Sequence, residues 1–310
     1  WLRVAVAVGL VWLLASRAGL GDLAAQPWDL GWWAIAVGVA VVPLSVAVRA
    51  FNHTLLANMR VRVLEPWSAF RLALVGAGIA LFLPTGAADA AKAHYGYRVY
   101  GHAEDMIVSS ALDKLTSLTA VAAMGAMGGL VAREFVLAGV AAGVGVLTVV
   151  PFAAPRVVPW RLALRVLAPG SNPDDDVIAS VSRPPGTRLA LVYAVSAIGW
   201  LLTYAVVYLA CVAVGAQIAP SYILMLAPFT TLARMVPVSA GGIGLGEFTT
   251  AALLVRGGVE ADLAARTALI AMVLLVLLPG AVGALLLAGG RHQRTSAISQ
   301  GNEETTSTSV

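Results

Sequence analysis

Pro237-Val238-Ser239-Ala240-Gly241-Gly242-Ile243-Gly244-Leu245-Gly246-Glu247 is a polar, glycine-rich interruption in an otherwise apolar chain. Backbone of this kind is costly in lipid, because N–H and C=O groups that no helix pairs find no water there. It persists only where protein buries it or where it lines a cavity. The stretch is therefore expected to be the tip of a broken helical segment and half of a substrate site.

The sequence around it fixes the solvent. The 310 residues are 59% hydrophobic and 12% charged, with a mean hydropathy of +0.86. A soluble domain carries about a quarter charged residues, so lipid must solvate most of this surface. Apolar runs of about 20 residues exclude the alternating pattern of barrel strands and predict an all-α polytopic membrane protein. Full spans are read at Leu2–Ser16, Gly31–Val48, Met106–Leu130, Phe135–Val150, Leu189–Val214 and Leu263–Ala288. Broken apolar runs lie at Trp67–Leu83 and Tyr222–Val236, a polar basic segment at Arg49–Glu65, and a long loop at Phe152–Thr187. The sequence starts at Trp1, and Leu2–Ser16 reads as a span rather than a cleaved leader. The Ser/Thr/Glu-rich tail from Arg291 is expected to be disordered. Cys211 is the single cysteine, so no disulfide forms within the chain. The net charge of +4 is spread over loops, which fits orientation against anionic headgroups better than nucleic acid.

Loop charges set the topology. Arg49, Arg60, Arg62 and Arg71 belong on one side with Arg156, Arg161, Arg165, Arg183 and Arg188, and with Arg291 and Arg294. Arg17, Asp22 and Asp29 suit the outside. These positions agree only if residues 67–97 and 222–257 each dip into the membrane and return to the side they left. The expectation is about six full transmembrane helices plus two re-entrant helical hairpins, one from each face, in an inverted repeat. Its halves are about 31–150 and 189–288, inside one integral membrane unit at 1–290. The loop 152–187 and the tail 291–310 fall in the cytoplasm. Inverted repeats whose broken helices meet near the midplane are a common way to build a transport site.

The first hairpin tip runs Pro84-Thr85-Gly86-Ala87-Ala88-Asp89-Ala90-Ala91-Lys92. Pro84 stops the incoming arm and Gly86 permits the reversal. Asp89 and Lys92 stand at i and i+3 on a helical outgoing arm. They form either a solvated surface pair or an acid and a cation facing a common groove. Asp113 and Lys114 lie about 10 Å into the next span and point about 100° apart. Asp113 shares a polar stripe with Ser109, Ser110, Thr116 and Ser117. Charge facing lipid costs several kcal/mol, so the stripe should face the bundle interior, either to satisfy neighbouring helices or to line a path. Arg234, three residues before Pro237, can fork onto phosphate, pair with Glu247 or cap its own helix. Gly241, Gly242 and Gly244 offer tight packing or exposed backbone N–H groups for a phosphate. Glu247 sits in the first turn of the outgoing arm, where a carboxylate suits the helix dipole. Gly125/Gly129 and Gly139/Gly143 read as helix-packing pairs. The four histidines have no metal-like spacing, Asp174-Asp175-Asp176 reads as a solvated loop, and no nucleotide loop or nucleophile elbow occurs. No cofactor or metal is expected.

These motifs resemble the transmembrane region of lysylphosphatidylglycerol synthases and its stand-alone, flippase-like relatives. The match lies in Pro237-x-Ser239-x-Gly241-Gly242-x-Gly244-x-x-Glu247 and in Pro84-x-Gly86-x-Ala88-Asp89-x-x-Lys92. In the family, the second pattern has glycine at position 88 and arginine at position 92. The family's Asp-Arg pair of the following span stands here as Asp113-Lys114. Both lysines keep the charge and give up the bidentate fork of arginine, which bears on the headgroup more than on the fold. The resemblance implies a flippase moving an anionic phosphate-bearing lipid between leaflets. The lipid would be a polyprenyl-phosphate-linked sugar or a modified phospholipid. It also implies a bacterial plasma membrane location with a cytoplasmic C-terminus, and a lipid-modifying enzyme or glycosyltransferase as partner. The chain is expected to lack the soluble aminoacyl-transferase domain and not to make lysyl-lipid itself. Two other functions compete: a membrane enzyme using Asp89 or Glu247 as base, and a non-catalytic subunit of a glycolipid pathway.

Overall fold

The computed structural model describes residues 2–18, 31–59, 62–83, 85–101, 103–153, 186–236 and 243–289. Ten helices follow one another among them. These are α1 (Leu2–Arg17), α2 (Trp32–Ala57), α3 (Pro66–Ala80), α4 (Thr85–Tyr100), α5 (Ala103–Val131), α6 (Phe135–Ala153), α7 (Gly186–Ala213), α8 (Pro220–Met235) and α9 (Leu245–Arg256). The last, α10 (Ala261–Gly289), passes through a π-helical segment at Val273–Leu277.

Length divides these helices into two kinds. Four are long and apolar enough to cross a membrane: α2, α5, α7 and α10. The helices of 15, 16, 16 and 12 residues, α3, α4, α8 and α9, reach about 18–24 Å and fall short of a hydrocarbon core of about 30 Å. The apolar parts of α1 and α6 are also short, at Val8–Arg17 and Phe135–Val149. Each short pair stands between two long helices, with α3 packing on α4 and α8 on α9. The order long, short, short, long thus occurs twice, as α2 to α5 and as α7 to α10.

The local sequence explains the breaks. Pro66 and Pro220 open α3 and α8 at positions where the missing N–H has no helical partner anyway. Gly244 precedes α9 with φ 93°, a left-handed conformation that favours glycine. Asn58 ends α2 and pins the following link. Its Oδ1 accepts from Val63 N and Leu64 N, both at 2.8 Å, and its Nδ2 donates to Leu64 O at 2.7 Å.

The long helices make the frame. α2 packs along α7, and α5 along both α6 and α8. The main core joins α5, α7, α8, α9 and α10 through Val121, Cys211, Met225, Leu226, Leu254 and Ala264. Large apolar side chains such as Trp12, Trp32, Trp33, Val136 and Leu147 stay outside, where acyl chains solvate them.

Two expectations change here. Arg49–Glu65 is not a loop segment up to Ala57, because α2 runs unbroken through it. Asn52, His53 and Thr54 are buried inside the bundle, so hydropathy drops without the helix ending. Of the two glycine pairs, Gly129 packs on Ala138 and Gly125 on Pro228, but Gly139 and Gly143 face open space among the described residues. A closer contact went unnoticed in the sequence. A Cβ on Gly283 of α10 would run into Leu74 O of α3, and one on Gly78 would lie 2.5 Å from Ala284 N. Backbone meets backbone at this crossing. Gly283→Ala should therefore destabilise the protein by about 1–3 kcal/mol, read as a lower unfolding midpoint in detergent. An unchanged midpoint would show that α3 can back away from α10 at no cost.

Candidate functional site

The two short-helix pairs and the long helices between them enclose a cavity of about 290 Å³. α2 supplies Arg49 and His53, α4 supplies Asp89 and Lys92, α5 supplies Asp113 and Lys114, and α8 supplies Arg234. Trp200 and Tyr204 of α7 and Thr250 of α9 complete its polar wall. The apolar remainder comes mostly from α3 and α10, including Ala77, Leu275 and Val276.

Each charge has a distinct setting. Asp89 pairs with Lys114 across α4 and α5 at 3.0 Å, rather than with Lys92 one turn along its own helix. Asp113 and its neighbour Lys114 point apart, as their spacing requires. Asp113 Oδ1 accepts from Asn52 Nδ2 at 3.1 Å, and its Oδ2 lies 3.8 Å from His53 Nδ1. On the opposite wall, Arg234 Nη2 donates to Glu247 Oε1 at 2.9 Å. Glu247 is only 1% exposed, and its Oε2 accepts from Gly244 N at 2.7 Å. The Arg234 stem lies against Gly246, where a Cβ would collide with its Cγ. Glu247 therefore acts from behind the cavity wall, as the acid that places Arg234 and closes the first turn of α9. Tyr204 Oη donates to Ala227 O at 2.8 Å and meets Thr230 Oγ1 at 2.7 Å, which ties α7 to α8.

Arg49 and Lys92 have no carboxylate within ion-pair distance among the described residues. Arg49 Cζ instead sits 4.5 Å above the Trp200 ring centroid, a cation–π contact that leaves the guanidinium edge open to the cavity. Lys92 lays its stem across Gly76 of α3. Among the described residues the lining holds four cations, Arg49, Lys92, Lys114 and Arg234, against Asp89 and Asp113, with Glu247 behind the wall balancing Arg234 and one positive charge left over. A cavity with an excess of positive charge in a low-dielectric frame favours an anion strongly.

Of the residues singled out in the sequence, Asp89, Lys92, Asp113, Lys114 and Arg234 come together on this cavity. Gly244 and Glu247 stand behind it. Gly86 lies in the first turn of α4. Pro84, Pro237, Ser239, Gly241 and Gly242 lie outside the described residues, as do Asp174-Asp175-Asp176 and the tail. Sequence reasoning passed over Arg49, Asn52, His53, Trp200 and Tyr204. Arg49, Asn52 and His53 stand at i, i+3 and i+4, and Trp200 and Tyr204 at i and i+4, so each set shares a helix face. That spacing was the available signal. Among the described residues, no cluster of three His, Cys, Asp or Glu side chains is placed to hold a metal ion.

Residues 1–283 match the family model described as the lysylphosphatidylglycerol synthase TM region. The chain belongs to this family. No curated protein matches it. Membership in the lysylphosphatidylglycerol synthase TM family supports a lipid-flipping role for an anionic membrane lipid, a transporter-like rather than catalytic one. The protein is integral to the membrane, and membrane lipids are its natural partners.

Proposed function

We propose that this member of the lysylphosphatidylglycerol synthase TM family moves a phosphate-bearing anionic lipid through the cavity between its two short-helix pairs. The observation that carries this is the charge excess, with Arg49 and Lys92 facing the cavity without acid partners among the described residues. The phosphate sits between them, held by charge-assisted hydrogen bonds, while the acyl or prenyl chains stay in lipid. A polyprenyl-phosphate-linked sugar and a modified phospholipid both satisfy this chemistry. An enzyme that makes such a lipid, a lipid-modifying enzyme or a glycosyltransferase, is the partner class this role requires.

The short helices support a finer topology. α3/α4 and α8/α9 act as hairpins that enter from opposite faces and return, in two inverted halves at about 31–150 and 189–288. Together with α1 and α6 this gives about six full crossings in one unit over 1–290. The arginine-bearing loops, including 152–187, and the C-terminus then lie in the cytoplasm of a bacterial cell. Broken helices at a midplane site let one half rock against the other, exposing the same cations to each leaflet in turn.

Reconstitution tests the role. Liposomes holding the full chain and tail-labelled phosphatidylglycerol should lose label to an outside quencher beyond the outer-leaflet half, whereas empty liposomes keep the inner half. A panel that also includes a polyprenyl-phosphate sugar and shows no movement of either lipid would overturn the proposal.

A further inference from the structure

His53 is a buried polar group that the anion cavity does not by itself explain. It is 2% exposed on α2, lines the cavity, and neither ring nitrogen has a hydrogen-bond partner among the described residues. Its Nδ1 is 3.8 Å from Asp113 Oδ2, beyond hydrogen-bond distance. The carboxylate is held in that place from its other side, since Asn52 Nδ2 donates to Oδ1. An unsatisfied buried polar group costs about 1–3 kcal/mol, so its retention calls for a use in another state of the site. Of the charged groups on the same cavity, Lys92 of α4 has the sign of an imidazolium and Asp113 of α5 the opposite one. Arg49 of α2, Asp89 of α4, Lys114 of α5 and Arg234 of α8 complete the charged lining. α7 adds the Tyr204 hydroxyl, and α3 and α10 add no titratable group.

We infer that His53 takes up a proton when an anionic headgroup enters the cavity, so that the site binds anion and proton together. In the empty site a proton on His53 would add a further cation close to Lys92 and in the same cavity as Arg49. A phosphate oxygen between those cations cancels their opposition and gives one imidazole N–H an acceptor. Asp113, already steered by Asn52, takes the other N–H after closing less than about 1 Å. The proton comes from water in the cavity and returns there when the headgroup leaves. By linkage, proton and headgroup raise each other's affinity by the same factor. Transport through such a site responds to a proton gradient, because the leaflet facing the more acidic side loads more readily.

This inference rests on the headgroup role proposed above, and calorimetry separates the two. Short-chain phosphatidylglycerol is titrated into the detergent-solubilised full chain, since its phosphodiester keeps one negative charge across the range. Two buffers of different ionisation enthalpy then count the protons taken up. The complex holds more protons than the free protein, so affinity should rise as pH falls from about 8 to about 5.5, approaching tenfold per pH unit at its steepest. His53→Gln, which keeps amide hydrogen bonding and cannot titrate in this range, should bind with no uptake and a flat profile. If that variant does not fold, the triple variant H94Q/H102Q/H292Q should keep the whole uptake, leaving His53 as its source. Binding by the wild type without proton uptake, or uptake lost in the triple variant, overturns the inference and leaves the headgroup role standing. No binding of phosphatidylglycerol or of a polyprenyl-phosphate sugar at any pH overturns the headgroup role and this inference with it.

Discussion

Replacing Glu247 by alanine should lower the stability of the protein by about 3 kcal/mol, the largest loss expected from any single truncation at the cavity wall. The carboxylate is 1% exposed and both oxygens are engaged, Oε1 by Arg234 and Oε2 by Gly244 N–H. Truncation takes the Glu247 acceptor away from the Arg234 guanidinium and the carboxylate acceptor away from the first N–H of the α9 turn. Arg234 is 30% exposed to the cavity, so water recovers part of the loss and holds it below the range of a fully enclosed pair. Glu247→Gln should fall between the two, keeping one hydrogen bond and losing the ion pair. Thermal unfolding in detergent, followed by circular dichroism, reads the series. A midpoint for Glu247→Ala within a degree of wild type would mean that the Glu247 contacts add nothing to the placement of Arg234 and that α9 starts without help.

Arg49→Ala should have the largest effect on transport, a loss of about 10- to 100-fold in the rate of lipid movement with the fold intact. A charge-assisted hydrogen bond to phosphate is worth about 1.5–3 kcal/mol, and each 1.4 kcal/mol is a factor of about ten. Among the described residues Arg49 has no carboxylate to strand when it is removed, so the protein loses a cation without gaining a buried, unpaired acid. Its contact with Trp200 is a modest stabilisation of about 1 kcal/mol, and the alanine variant should still purify as a folded species. Arg49→Lys should recover part of the rate, because charge returns and the planar fork does not. The liposome assay with labelled phosphatidylglycerol measures all three. Equal rates for wild type and Arg49→Ala would remove Arg49 from the headgroup site and shift the burden to Lys92.

Much of the architecture was legible because lipid imposes it. The apolar runs at Gly31–Val48, Met106–Leu130, Leu189–Val214 and Leu263–Ala288 became α2, α5, α7 and α10, since a chain that must pair every backbone group in hydrocarbon has few options. The broken runs were equally visible, because the apolar stretches at Trp67–Leu83 and Tyr222–Val236 end short of a full span, and they became α3 and α8. The C-terminal end of α2 was not. Hydropathy falls at Arg49, and a count of arginines assigned that residue to a loop, while the helix continues to Ala57 with three polar side chains turned inward. Period was the better guide there than polarity. The role of Glu247 was half legible. The helix-dipole argument placed it in the first turn of α9, but only the geometry separates a residue that touches the cavity from one that holds Arg234 there. The partner of Asp89 was out of reach, because the i,i+3 spacing points to Lys92 and only the packing of α4 on α5 chooses Lys114.

Asn58 has a mechanical consequence. Its three hydrogen bonds to Val63 and Leu64 clamp the end of α2 to the start of α3. A joint that would otherwise be a free hinge is thereby stiffened. Arg49 and His53 on α2 and the glycine crossing of α3 on α10 consequently belong to one lever. Any tilt that turns the Arg49 guanidinium from one leaflet towards the other must drag α3 along the α10 backbone or break the clamp. Asn58→Ala would uncouple the arm from its load without touching a single charge in the cavity.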